Sequence, residues 1–163
     1  MIRAAALVLA LLLAGCESPA LTGIAAGLQE RTEAPRRPLT DPHLATFAFL
    51  PFEGVPGNIG DDLLRRLWKR MENKGLQVVK RPDGRALFTV EGTLTAVTDD
   101  NTSLVFYVFD IQDVSGTRLH RITGQQRSDG SDNDPWSNIA DRDLDFIARR
   151  TAALINAWLN ARA

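Results

Sequence analysis

Three long strand-forming segments joined by short turns constrain the fold of this chain more than any other feature. Residues 86–98 alternate apolar and polar side chains, and residues 103–114 are apolar on both sides. Residues 118–126 are polar enough for an exposed edge strand. The turns at 99–101 and 115–117 hold Asp, Asn, Ser and Gly, which favour turns. Because short connections join antiparallel neighbours, the pattern predicts a meander with 103–114 as a central or doubly covered strand.

The flanking segments complete an α+β fold. Residues 44–50 are typical of a central strand, residues 59–74 have the apolar spacing of an amphipathic helix, and residues 76–80 form a short strand. A last helix is expected after Asp134 or Ser137, either of which can cap it. The order strand-helix-strand-strand-strand-strand-helix predicts a mixed, mostly antiparallel sheet of about five strands, with two helices packed on one face.

The first sixteen residues have the pattern of a secretory signal. Arg3 precedes an unbroken apolar run at 4–13, and small residues then lead to Cys16. The run has half the roughly 20 residues that a transmembrane anchor needs, and no A-x-A-like cleavage site is present. Leu13-Ala14-Gly15-Cys16 resembles the lipobox of bacterial lipoproteins. This resemblance implies cleavage between Gly15 and Cys16, diacylglycerol on the Cys16 thiol and acylation of the new amino terminus.

These patterns divide the chain into three parts. Residues 1–15 are predicted to be a signal peptide, and residues 16–42 the lipidated N-terminus and a flexible tether. The tether contains four prolines between residues 17 and 42, and only residues 21–31 within it are compatible with a short helix. Residues 43–163 are predicted to be a periplasmic α+β domain. Attachment to the membrane through Cys16 is therefore the first partner prediction.

Composition argues against several classes of function. The formal net charge is −1, which gives no electrostatic basis for binding nucleic acid. Cys16 is the only cysteine, and His43 and His120 are the only histidines, so no Cys/His zinc site is expected. His120, on the polar edge strand, is predicted to be a surface side chain rather than a catalytic base. No cofactor, metal or catalytic residue is predicted, and the chain is expected not to be an enzyme.

Two loops carry weaker patterns. Gly54-x-x-Gly57-x-x-Gly60 lies between a strand and a helix, where phosphate-binding loops occur, but the spacing is not that of a known fingerprint. A plain strand-to-helix turn is the preferred interpretation. Residues 129–134 are rich in oxygen ligands, but Ala140 stands where a calcium loop needs a bidentate glutamate. A solvated loop that leads into a helix cap is preferred there.

The stretch from Phe47 to Val97 resembles a recurring periplasmic module. It runs from a strand ending in Leu-Pro-Phe through a helix to a strand reading Val-Glu-Gly-Thr-Leu, and the segment DIQDVSGTRLHRITG resembles the hairpin that follows. The pattern is similar to the curli-secretion lipoprotein, to lipoprotein activators of penicillin-binding proteins and to the amino-terminal domain of TolB. The resemblance implies a non-enzymatic domain that contacts another envelope protein.

Two further expectations concern the membrane in which the protein is anchored and an alternative function. Glu17 follows the cysteine, whereas an aspartate there favours inner-membrane retention in enteric lipoproteins, so the outer membrane is expected. The alternative function is binding of a small ligand or glycan through the exposed strand face of Thr89, Glu91, Thr93 and Thr95.

Overall fold

The computed structural model describes residues 41–79, 86–99, 101–130 and 133–161, with the side chains of His43 and Asp99 left out. A 3₁₀ turn at Pro42–Leu44 leads into the first element. The strands are β1 (Thr46–Phe49), β2 (Gln77–Val79), β3 (Phe88–Asp99), β4 (Thr102–Gln112) and β5 (Arg118–Asp129). The helices are α1 (Gly57–Glu72), between β1 and β2, and α2 (Asp141–Leu159), after β5. The predicted order of elements is confirmed.

The five strands form one sheet in the order β2-β1-β3-β4-β5. β1 is parallel to both β2 and β3, whereas β3, β4 and β5 pair antiparallel over nearly their full lengths. The parallel pairing of β1 and β2 follows from the α1 crossover, since parallel neighbours need a long connection. The α+β class, the central position of β1 and β4 and the edge position of β5 are all confirmed.

One core joins the two helices to the inner face of the sheet. Leu63, Leu67 and Met71 of α1 are fully buried, as are Ile147 and Ile155 of α2. The sheet supplies the remaining side chains of this core, mainly Phe47, Phe88, Val90, Leu94, Val105, Tyr107, Phe109, Ile111 and Ile122. None of the described helices has the length and apolar character that a membrane crossing requires.

The side chain of Tyr107 on β4 packs closely against β5. Its ring lies across Gly124 of β5, where a Cβ atom would overlap the hydroxyl and the ring. The phenol is almost completely buried, and its hydroxyl has no hydrogen-bond partner among the described residues. Burial raises the pKa of Tyr107, and the nearby Arg150 lowers it by less.

The start of α2 differs from the prediction. The helix begins at Asp141, not after Asp134 or Ser137. The Asp134 carboxylate instead accepts a hydrogen bond from the Trp136 N–H at 3.0 Å, and its carbonyl accepts hydrogen bonds from both the N–H and the hydroxyl of Ser137. These bonds form a turn before the helix, so Asp134 and Ser137 stabilise that turn and do not cap α2.

An ion pair links the two helices. The Arg70 guanidinium donates to both oxygens of Asp145, with Nη2 at 2.6 and 2.7 Å. This hydrogen bonding is the main reason that the pKa of Asp145 lies below its usual value. The partly exposed pair therefore holds α1 against α2.

Candidate functional site

The face of the sheet that points away from the helices, here called the outer face, carries an organised pattern of side chains. In the four central rows of β3, β4 and β5, every side chain of this face is exposed or half-buried, whereas Thr102 at the end of β4 is buried. The register aligns them in four rows, which are Glu91–Asp110–Arg121, Thr93–Val108–Thr123, Thr95–Phe106–Gln125 and Val97–Leu104–Arg127. The predicted outward direction of Glu91, Thr93 and Thr95 is confirmed, and Thr89 is half-buried.

One end of the outer face is charged and internally paired. The Arg121 guanidinium donates to both oxygens of Asp110, at 2.7 and 2.6 Å. The Gln112 amide donates to the Glu91 carboxylate at 2.6 Å. The charged side chains at this end are therefore bonded to side chains on the neighbouring strand. These cross-strand bonds stabilise the pairing of β3, β4 and β5.

The other end of the outer face is apolar. We call its four side chains, Val97, Leu104, Phe106 and Val108, the apolar patch. Val97 and Phe106 each remain 42% exposed. Single exposed apolar residues are ordinary, but contiguous ones on a soluble surface commonly mark a contact with another chain. The patch is rimmed by threonines and by Arg127, an arrangement that fits a protein-contact surface.

A cavity of about 430 Å³ lies where α1 begins, next to the segment that precedes α2. Its walls include the apolar side chains of Ile59, Trp136 and Leu144. Two of its carboxylates already have cationic partners, because Asp62 pairs with Arg65 and Arg66, and Arg66 also reaches Asp141 at 3.1 Å. These internal pairs hold the two segments together.

The glycine loop is a strand-to-helix turn, as preferred from the sequence. Gly54 has a positive φ of 73°, and a Cβ atom there would overlap the Leu94 carbonyl oxygen. The Glu53 N–H donates to the Gly92 carbonyl, and the Glu53 carbonyl accepts from the Leu94 N–H, each at 2.9 Å, so this loop extends the pairing along β3. Glycine is therefore needed at position 54 for backbone reasons.

The acidic loop is only partly described, since residues 131 and 132 are left out. Asp129 lies 3.7 Å from Arg142, and Asp134 is used in the turn before α2. Within the described ranges, no group of three or more His, Cys, Asp or Glu side chains is placed to hold a metal ion.

His120 is not the surface side chain that the sequence predicted. It lies on the inner face of β5 with Ile122 and is half-buried. Its ring is parallel to that of Trp158, and the two ring centroids are 5.6 Å apart. Burial lowers its pKa. The prediction failed because β5 is polar overall, yet its alternation still turns every second side chain towards α2.

Sequence reasoning missed a buried polar cluster at the start of α2. The Asp143 carboxylate is 3% exposed and accepts hydrogen bonds from Ser128 Oγ at 2.7 Å, Gln126 Nε2 at 2.9 Å and the Ala140 N–H at 3.1 Å. Ser128 also contacts the Asn138 carbonyl. The cluster fastens the loop before α2 to the end of β5. The available signal was a carboxylate three residues after the N-cap residue, Ala140.

Comparison with known proteins finds several structural neighbours but no family. The sequence matches no known protein family, and no curated protein matches it. Among solved structures, it is similar to a PelC dodecamer from Paraburkholderia phytofirmans, at 16% identity over 78% of this chain and 95% of that chain, with a TM-score of 0.49. It is also similar to TolB from Acinetobacter baumannii, at 13% identity over 71% of this chain and 28% of that chain, with a TM-score of 0.47.

A lipoprotein from Neisseria meningitidis is a third structural neighbour, at 14% identity over 73% of this chain and 99% of that chain, with a TM-score of 0.44. TolB, one of the proteins that the sequence pattern resembles, is thus among these structural neighbours. Residues Gly15 and Cys16 lie outside the described part of the chain, so lipid attachment and signal cleavage stay predictions.

Proposed function

We propose that this chain is a lipid-anchored accessory or assembly factor of the bacterial cell envelope, which acts by contact with another envelope protein. The anchor is proposed from the lipobox resemblance at Leu13-Ala14-Gly15-Cys16. Two or three acyl chains together would give a durable attachment, since one chain binds a membrane only reversibly. The domain is proposed to face the periplasm, from the outer membrane rather than the inner.

The outer face is the observation that carries the contact function. It combines an apolar patch with a rim of hydroxyl and amide side chains, which is the anatomy of a protein-binding surface. The described polar clusters, by contrast, bond within the chain, as at Asp110 and Asp143. In this proposal the protein has no catalytic activity and needs no metal, cofactor or nucleic acid.

The anchor is tested first. The protein and its Cys16→Ala variant are expressed in a bacterium, the membranes are separated, and the intact mass of each mature form is measured. We expect cleavage before Cys16 and added acyl mass in the outer-membrane fraction, with both lost in the variant. An unmodified soluble protein that retains Met1 would contradict the proposed function.

The contact is tested by site-directed cross-linking. Because Cys16 is the only cysteine and is proposed to be alkylated, a single introduced cysteine can carry a photoreactive group. We expect Phe106→Cys to capture one envelope protein reproducibly, and Ala153→Cys, on the exposed side of α2, to capture none. Equal capture from both positions would contradict a specific role for the outer face.

Binding of a glycan or small ligand is the second candidate. It is favoured by the placement of Glu91, Thr93 and Thr95 on one exposed face beside Phe106, since hydroxyls next to an aromatic ring can bind a sugar. A rise in melting temperature with peptidoglycan fragments, lost in Thr95→Val but kept in Ala153→Ser, would support this alternative over protein contact.

A further inference from the structure

Three exposed apolar side chains lie at one end of the sheet, where the described chain begins. Leu44 is 65% exposed, Leu87 is 38% exposed and Val114 is 80% exposed. Leu44 ends the 3₁₀ turn before β1, Leu87 directly precedes β3, and Val114 lies in the turn that joins β4 to β5. We call the end of the sheet that carries these three residues the entry end.

The strand register brings the three residues together from distant parts of the sequence. The Leu87 N–H donates to Thr46 Oγ1 at 3.0 Å, so Leu87 lies beside the start of β1, close to Leu44. Thr89 pairs with Gln112, which places the β4–β5 turn beside the start of β3. Neighbouring strands are about 5 Å apart, so these residues of β1, β3 and β4 can reach one common surface.

The charges at the entry end are balanced. The Asp113 carboxylate accepts hydrogen bonds from two backbone N–H groups and a hydroxyl of its own turn, so its charge is used there. Lys74 precedes β2, whose start pairs with that of β1, and Arg118 begins β5. Among the described residues near this end, these two exposed cations match the exposed carboxylates of Asp41 and Glu72. Apolar side chains beside cations suit the interface of an anionic bilayer.

The point at which the chain joins the domain favours a bilayer as the partner of this end. Asp41 is the first described residue, and it lies three residues before Leu44. Under the proposed function Cys16 is held in the membrane, and residues 17–40 connect it to the domain. A flexible chain of that length has a root-mean-square reach of about 25–30 Å. The connection therefore holds the entry end, with its exposed apolar residues, within reach of the lipid.

The apolar patch lies towards the opposite end of the sheet. Phe106 pairs with Thr95, which is eight residues beyond Leu87 in the chain, or about 26 Å along the strand. A domain that rests on its entry end therefore keeps the apolar patch away from the lipid. The two groups of exposed apolar side chains can then serve different contacts.

We propose that the entry end rests on the bilayer, with Leu44, Leu87 and Val114 inserted among the lipid headgroups. This inference rests on the proposed function in taking Cys16 as the anchored residue. The domain is then held in one orientation, with its strands steep to the membrane plane. The apolar patch points away from the lipid, where another envelope protein can reach it.

The test measures the depth of two positions in the lipidated protein, reconstituted in vesicles of phosphatidylethanolamine and phosphatidylglycerol. Because Cys16 is proposed to be alkylated, one introduced cysteine can carry a fluorophore. Val114→Cys is compared with Phe106→Cys, which replaces an exposed apolar residue of the apolar patch. With brominated acyl chains in the vesicles, we expect about fivefold more quenching at position 114 than at position 106. Equal quenching at the two positions, or none at either, would overturn the inference.

A second pair of variants tests the insertion itself. Leu44→Asp should reduce the quenching at position 114 about threefold, whereas Val97→Asp in the apolar patch should leave it unchanged. Both replaced residues are exposed, so both variants should keep the melting temperature within about 2 °C of the parent. Unchanged quenching in Leu44→Asp would contradict the insertion.

The intact mass of the same samples separates this inference from the proposed function. An acylated protein without quenching at position 114 refutes the membrane contact of the domain and leaves the anchor in place. A protein without added acyl mass refutes the proposed function, and this inference with it.

Discussion

Asp143 makes the clearest prediction about stability, because its buried carboxylate joins three parts of the fold. It accepts hydrogen bonds from Ser128 and Gln126 on β5 and from the Ala140 N–H before α2. Substitution by alanine removes all three bonds and also the negative charge in the first turn of α2. We expect this single change to loosen the attachment of α2 to the sheet.

The loss in free energy of unfolding depends on whether each hydrogen-bond donor finds another acceptor once Asp143 is replaced by alanine. Gln126 keeps its hydrogen bond to the Arg127 carbonyl, and Ser128 keeps its contact with the Asn138 carbonyl. Neither side-chain donor is left unsatisfied, and Ala140 is exposed, so its N–H can bond water instead. Each of the three lost bonds is therefore counted near the low end, about 1 kcal/mol, rather than the 3 kcal/mol possible for a charged acceptor. With a small loss from the helix dipole, the free energy of unfolding should fall by about 3 kcal/mol.

The assay is urea unfolding followed by tryptophan fluorescence and circular dichroism, with Asp145→Ala as the matched control. Asp145 lies in the same helix and carries the same charge, but its pair with Arg70 is about one-third exposed. A partly exposed pair contributes roughly 0.5–1 kcal/mol. In thermal unfolding, we expect Asp143→Ala to lower Tm by about 12 °C and the control by less than about 4 °C. Equal losses in the two variants would refute the reasoning.

Three further predictions concern the core and its pH dependence. Tyr107→Phe should raise the free energy of unfolding by about 1 kcal/mol, measured in urea, because it removes a buried hydroxyl without a partner. Gly92→Ala should lower Tm, at a cost of about 1–3 kcal/mol, since the added Cβ atom would lie 2.6 Å from Phe52 and 2.8 Å from Phe109. Burial lowers the pKa of His120 in the folded chain, so the unfolded chain binds a proton first as pH falls below about 6.5, and stability should decline from there. In urea titrations between pH 7 and pH 5, His120→Gln should make the free energy of unfolding fall less steeply with decreasing pH. An unchanged pH dependence would contradict this role of His120.

The candidate surface was predictable only in part. The alternation in residues 86–98 placed Glu91, Thr93 and Thr95 on a solvent-facing side, and the structure confirms that placement. Sequence reasoning did not find the apolar patch, because residues 103–114 are apolar on both sides and their pattern does not say which side a helix covers. The structure shows that the helices cover the opposite face, and that Leu104 pairs with Val97 on the uncovered one.

The order of the strands and helices along the chain, the interior places of β1 and β4 in the sheet and the exposed edge at β5 were all predictable from the sequence. These features depend on side-chain periodicity and turn residues, which act over a few positions. Only the tertiary structure decided that His120 stacks on Trp158 and that Asp143 lies against Ser128. It also decided that α2 begins at Asp141. The physical reason is that these outcomes depend on contacts between residues far apart in the chain, and local periodicity carries no information about which distant side chain will supply the partner.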